Sequence, residues 1–340
     1  MVASDVRSRA PRLPAARTRA RHAAMFEANG PPGGVRVDDL TRQLARGFVG
    51  LHSGDRLPTV RALAAEHGAS LASIQAALAR LEEDGAVRIK RRGRLGAYLT
   101  EASLPRLWAI AEGAPLILAL PLPSNLRGQG LATAVKTILE EAGIDTFLTF
   151  VRGSRNRLRA LREGRCHIVV MSGLAAAISQ DPTLRVTELP VRTFAEERRV
   201  FLSRPEPGSP EDRSPRRRLR VVVDSESADL QRITELEFTD RQVEFVPAVY
   251  MQSVGLIESG RADAAVWDLD ETTRRLPPHV TSRPLSARVR KVIGDHDTRA
   301  AFVTRADDPP AQVIVDQCLL PERIVEIQRQ VLSGQLVPGY

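Results

Sequence analysis

Six apolar runs of strand length punctuate the middle of the chain: LILAL (116–120), FLTFV (147–151), CHIVVM (166–171), RVVV (220–223), VEFV (243–246) and DAAVW (263–267). Between them lie segments that read as helices, at 130–142, 156–163, 227–236 and 250–260. Strand, helix and strand at this spacing argue for parallel sheets built from βαβ units. The alternation occurs twice, and its closing steps share wording: LREGRCHIVV (161–170) and IESGRADAAV (257–266) both run helix, Gly-Arg, strand. The pattern predicts two similar α/β lobes rather than a tandem solenoid. The first lobe is expected over about 115–200 plus 280–340 and the second over about 201–279. The Pro- and charge-rich stretch Arg204–Arg218 reads as a surface loop, and 309–332 as helix closing back on the first lobe.

The stretch before the lobes has a different rhythm. Val37, Leu40, Leu44 and Phe48 fall on one helical face, with Asp38 and Asp39 in the first turn where the helix dipole favours anions. Pro58 opens a second helix bearing Val60, Leu63 and Ala64, which His67-Gly68 closes. Ser70 is a good N-cap for a third helix, whose Ile74, Ala77, Leu78 and Leu81 form an apolar stripe. A hairpin is expected next, with strands at 86–90 and 96–100 and Arg91-Arg92-Gly93-Arg94 at its tip. Helix, turn, helix and an arginine-tipped ribbon make a winged helix-turn-helix over 35–103, which places one helix in the major groove and the wing on the backbone. Residues 104–114 read as a linker, with Trp108 and Ile110 docking onto the downstream lobes.

Charge supports that division. Residues 1–104 hold seventeen Arg or Lys against ten Asp or Glu, whereas the remaining 236 hold thirty-two against thirty-one. Localised positive charge is the footprint of a phosphate-binding module. Arginine counts alone say little, because the chain has forty-six arginines and three lysines, a skew that genome composition produces. Residues 1–34 carry too few apolar side chains for a core and are expected to be a disordered basic tail, with Met25 an alternative start.

Other classes find little support. No run of about 18 apolar residues suggests a membrane span, and no secretory signal is recognisable at the N-terminus. Cys166 and Cys318 read as buried free thiols, and the six histidines lack metal-ligand spacing. There is no Gly-x-Ser-x-Gly elbow and no phosphate-binding P-loop, so neither an enzyme nor a cofactor is expected.

Two α/β lobes form a cleft where strand C-termini meet helix N-termini, the usual place for small ligands in such sheets. The loops expected there are polar: Pro123, Ser124 and Asn125 after the first strand, Arg152 and Gly153 after the second, and Ser172 after the third. Ser225 and Ser227 follow RVVV, and Tyr250 follows VEFVPA. Serine hydroxyls, helix N-termini and one arginine suit a carboxylate or phosphate. Arg152 is the expected counter-ion, with Ser124, Ser172 and Ser225 as donors.

LPTVRALA (57–64) resembles the L-P-S-x-R-x-L-A opening of GntR-type bacterial regulators, and AALARLEEDG (76–85) resembles their segment before the wing. The downstream half is similar to the YhfZ-type branch, whose C-terminal part resembles a type 2 periplasmic-binding-protein fold. LPLPSNLRGQGLATAVK (120–136), VRGSRNRLRAL (151–161), ADAAVW (262–267) and VLSGQLVPGY (331–340) carry that likeness. The recognition helix departs from the GntR pattern, because Leu71 and Gln75 stand where two DNA-contacting arginines are usual. A glutamine can pair with adenine, and a leucine can only touch a thymine methyl. The expected DNA face is Thr59, Arg61, Ser70, Leu71, Ser73 and Gln75 on the helices, with Arg91, Arg92, Gly93 and Arg94 on the wing. The reading is a cytoplasmic, homodimeric transcriptional regulator that binds double-stranded DNA under control of a small anionic effector. A cytosolic solute-binding protein, or a DNA-binding protein whose C-terminal half only dimerises, stays open as an alternative.

Overall fold

The computed structural model describes residues 36–203, 218–269 and 276–340. The expected tail at 1–34 and nearly all of the 204–218 loop, Arg216 and Arg217 included, lie outside the described residues. Three units succeed one another along the chain.

The first is the winged head, with α1 (Val37–Phe48), α2 (Val60–Glu66), α3 (Leu71–Glu83), β1 (Val87–Arg91) and β2 (Ala97–Ala102). Thr59 Oγ1 accepts from the Ala62 amide at 3.1 Å and Ser70 Oγ from the Ser73 amide at 3.0 Å, so both helices of the motif start on a side-chain cap. Leu40, Leu44 and Phe48 of α1 pack with Ile74, Leu78 and Leu81 of α3 and Leu99 of β2. The strands pair antiparallel from Val87 opposite Ala102 to Arg91 opposite Ala97, slightly later than the sequence suggests.

Residues 104–114 are not a loose linker. Leu104–Glu112 form α4, with Pro105 in its first turn and Gly113 closing it in the left-handed conformation. Successive helical residues point about 100° apart, and α4 uses this to enter two cores. Leu107 is buried in the head, while Trp108 is buried in the lobe behind it and sets its ring edge against His167 at 5.1 Å. Ile110 packs with the head rather than with the lobe. Arg46 of α1 reaches Asp308 at 3.0 Å and also pairs with Glu112. Val313 meets the head core, and His52 contacts Gln317 at 3.1 Å. The head is therefore fastened to the first lobe by packing and by ion pairs.

That lobe contains β3 (Leu116–Leu120), α5 (Leu126–Glu141), β4 (Thr146–Phe150), α6 (Ser154–Arg162), β5 (Ile168–Ser172), α7 (Gly173–Ser179) and β6 (Leu184–Glu188). The chain then crosses over and builds the second lobe from β7 (Arg198–Ser203), β8 (Leu219–Val223), α8 (Ala228–Glu237), β9 (Val243–Pro247), α9 (Ser253–Glu258), β10 (Ala264–Asp268), β11 (Val280–Pro284) and α10 (Ala287–Ile293). It returns through β12 (Ala300–Arg305), α11 (Pro309–Gln317) and α12 (Pro321–Leu332). The sheet orders are β4-β3-β5-β12-β6 and β9-β8-β10-β7-β11. Each is a parallel βαβαβ core joined by a strand that runs antiparallel to it, β12 in one lobe and β7 in the other. The second sheet thus takes strands on both sides of the 201–279 span. The βαβ template does not see these strands, because β7 and β12 arrive by crossover and the edge strands β6 and β11 carry charge. The expected terminal helix is two helices, broken before Pro321, and α12 lies along α5. Gly130 permits that approach, since a Cβ there would sit 3.0–3.3 Å from Gln328.

Candidate functional site

The expected DNA face is the outer surface of the head. Arg61, Leu71 and Gln75 are exposed, and Ser73 is half-buried. Leu71 is 49% exposed although its neighbours on the inner face are buried. Thr59 and Ser70 are exposed too, with their hydroxyls engaged as caps. The wing tip is one turn of 3-10 helix at Gly93–Leu95. Its arginines differ in what they touch. Arg91 pairs with Glu82 at 3.1 Å, the Arg92 guanidinium lies 4.9 Å from the Tyr98 ring centre, and Arg94 has no ion pair among the described residues.

The second candidate is a cavity between the lobes. Asn125 caps α5 through its Oδ1, which accepts from the Gly128 amide at 2.7 Å. Gly153, at φ 77°, starts α6 and lies so close to the other lobe that a Cβ would stand 2.6 Å from Glu226 Cβ and 2.7 Å from its carbonyl oxygen. Across the gap the Arg155 amide donates to the Glu226 carbonyl at 3.1 Å, and the Ala228 amide donates to Ser154 Oγ at 3.0 Å. The lobes are in contact along this seam.

Of the residues expected to hold an effector, Ser124, Asn125, Gly153, Ser227 and Tyr250 line the cavity; Pro123, Arg152, Ser172 and Ser225 do not. Arg152 donates from Nη1 to both oxygens of Asp224, at 3.1 and 3.0 Å, in an interlobe ion pair. Ser172 is fully buried; it caps α7 and donates to Asp229 Oδ2 at 2.8 Å. Ser225 is exposed, with its carbonyl accepting from Arg155.

The cavity holds residues the motif reading missed. Arg198, at the start of β7, is 3% exposed and sits between Asp229, at 3.1 Å, and Asp268. Burial alone would lower its pKa, but Asp268 and Asp229 more than offset this and hold it above the ordinary value. Burial pushes nearby Asp297 up. Arg157, on the inner face of α6, is the second lining arginine, and burial pushes it down to about 10. Phe194, Tyr250 and Trp267 supply an aromatic wall, the last two stacked with ring centres 4.5 Å apart. The cavity is small, about 60 Å³. At about 10–15 Å³ per water, it holds about four to six waters' worth of ligand. Among the described residues no His, Cys, Asp or Glu cluster could hold a metal, and no helix is long and apolar enough to cross a membrane.

A winged helix-turn-helix fastened to a two-lobed, periplasmic-binding-protein-like α/β domain defines a class: a DNA-binding domain coupled to a domain of ligand-binding type. Within it, the chain belongs to the YhfZ family. Residues 104–340 match the family model for the YhfZ C-terminal domain, and residues 52–99 match a helix-turn-helix domain model. The chain is 31% identical to the YhfZ protein of Escherichia coli (strain K12) over 299 residues, which is 87% of this chain and 95% of that one. The crystal structure of YhfZ from Shigella flexneri superposes with a TM-score of 0.53 at 28% identity, over 66% of this chain and 93% of that one. A mutant OxyR of Corynebacterium glutamicum with bound hydrogen peroxide aligns over 89% of this chain and 96% of its own, at 15% identity and a TM-score of 0.41.

Proposed function

We propose that this protein is a homodimeric, cytoplasmic transcriptional regulator of GntR type, and not an enzyme. In this reading its operator binding is modulated by a small molecule with an anionic group, held between the two lobes. The observation that carries the reading is the mechanical link. The head is fastened to the first lobe through Leu107, Trp108 and the Arg46–Asp308 pair, while the cavity draws its lining from both lobes. A ligand filling that cavity favours one angle between the lobes over others, by as much as its affinity differs between them. With the head moving as part of the first lobe, a dimer joined through its second lobes would change the spacing of its two recognition helices. Each helix α3 would enter the major groove, Gln75 and Leu71 facing base edges, with Arg61 and the wing on phosphates.

The test is a mobility shift with duplex DNA from the region upstream of the gene, over a salt series. Binding should weaken steeply with salt, and Arg94→Ala should lower the slope by about 1 while weakening all sequences alike. Arg91→Ala should do less, because Glu82 already holds that guanidinium. Binding indifferent to salt and to the wing would refute the assignment of DNA as partner.

A further inference from the structure

Two buried arginines line the interlobe cavity, and their surroundings differ. Arg198 is met by two carboxylates. Arg157, 4% exposed, makes one hydrogen bond, from Nη1 to the Val151 carbonyl at 2.7 Å. Its Nε has no partner, and no carboxylate stands within ion-pair distance among the described residues. A guanidinium offers five N–H donors in a planar fork, and a buried cation without a counter-ion is disfavoured unless something completes it. The other polar groups around the cavity are largely spoken for. Asn125 takes an amide of α5 and Ser154 the Ala228 amide; the Glu226 carbonyl takes the Arg155 amide, although the buried Oε2 of Glu226 has no partner among the described residues.

We infer that Arg157 is the anion anchor of this site and that its ligand is a small monocarboxylate with an apolar body. This rests on the reading of the cavity as an effector site. The carboxylate meets the Arg157 fork, and the body lies against Phe194, Tyr250 and Trp267. Asp229 and Asp268 share the cavity, so a second negative charge on the ligand would be repelled. That selects a monoanion over a phosphate dianion, and the size of the cavity selects a short molecule. The lowered pKa of Arg157 has burial as its main cause, with Tyr250 and Asp229 offsetting it only in part, which agrees with a charge awaiting its partner.

The probes are sodium formate and inorganic phosphate at matched ionic strength, read by thermal unfolding of the full chain with and without Arg157→Met and Arg157→Lys. Without probe, Arg157→Met should unfold no lower than wild type, since it removes an unmatched buried charge. Formate should raise the wild-type midpoint and outperform phosphate. Arg157→Met should weaken the apparent formate affinity about tenfold or more, as loss of a charge-assisted hydrogen bond does, and Arg157→Lys should fall between. An Arg157→Met protein less stable than wild type, together with no formate response in either, would make Arg157 a structural residue and overturn the inference. Equal stabilisation of all three proteins, or phosphate outperforming formate, would overturn it as well. A mobility shift on the same proteins separates the two readings. Wild type that takes up formate yet ignores DNA fails as a regulator while the anchor stands.

Discussion

Gly153→Ala is the substitution through which the lobe seam can be interrogated. Two costs arise from the geometry, and they separate. The first is conformational: at φ 77° and ψ 132°, outside the left-handed helical region, an alanine costs about 1–3 kcal/mol, whether or not the lobes touch. The second is steric and exists only across the seam, where the new methyl would lie 2.6 Å from Glu226 Cβ and 2.7 Å from its carbonyl oxygen. Real Cβ contacts of that length do not persist, and the Glu226 oxygen is backbone that cannot swing aside. The loop must retreat, and it takes with it the Arg155–Glu226 and Ala228–Ser154 hydrogen bonds. Losing two such bonds shifts the balance between touching and parted lobes by about 1–3 kcal/mol, roughly 5- to 150-fold in population. Gly143→Ala is the control: its φ is 70°, yet its Cβ would meet only Pro105 at the ordinary distances of 3.7 and 3.8 Å. Both variants should lose stability in urea, Gly153→Ala the more, because it carries the seam cost in addition to the backbone strain. Only Gly153→Ala should speed hydrogen exchange at the Arg155 and Ala228 amides and expand the molecule in solution scattering. Unchanged exchange at those amides would refute the idea that the seam depends on Gly153.

Two further predictions concern the joints of the molecule. Asp308→Ala leaves Arg46 with Glu112 alone; with Arg46 37% exposed, solvent screens much of the loss, so the cost should be about 1–2 kcal/mol in chemical denaturation. Its clearer signature is an effector response in the DNA assay that weakens while ligand binding persists; an intact response would show that the Arg46–Asp308 pair is not needed to couple head and lobe. His167 accepts the Ile117 amide at Nδ1 and is held neutral, its pKa lowered chiefly by burial. A histidine that resists protonation when folded contributes stability above its unfolded pKa, and that contribution fades as pH falls below about 6.5. The thermal midpoint should therefore drop with pH from that point down, and His167→Gln should flatten the slope; an unchanged slope would assign the acid sensitivity elsewhere.

How much of this was legible beforehand depends on how local the signal is. The winged head was readable almost residue by residue, because the cap at Ser70, the stripe through Ile74 and Leu81, and an arginine-tipped hairpin are encoded within a few residues of one another; α2 starts later than expected, at Val60 on a Thr59 cap rather than at Pro58. The doubled βαβ pattern was readable for the same reason. Strands β7 and β12 were not, since a strand that crosses from one lobe to pair in the other has neighbours only in space. Helix α4 looked like a linker because its two buried residues, Leu107 and Trp108, serve different cores, which leaves no single apolar face for a periodicity to reveal.

The cleft marks the boundary most sharply. Sequence alone determined that polar loops would gather at strand ends, and it offered one arginine among them, Arg152, as counter-ion. Arg157 follows five residues later inside α6, and nothing in its local sequence singled it out. In the tertiary structure Asp224, seventy-two residues away along the chain, reaches across from the other lobe and pairs with Arg152. The fold left Arg157 buried with no carboxylate of its own among the described residues. Charge pairing at a few ångströms is set by which stretches of chain the fold brings together, and that distance is not written in the order of the residues.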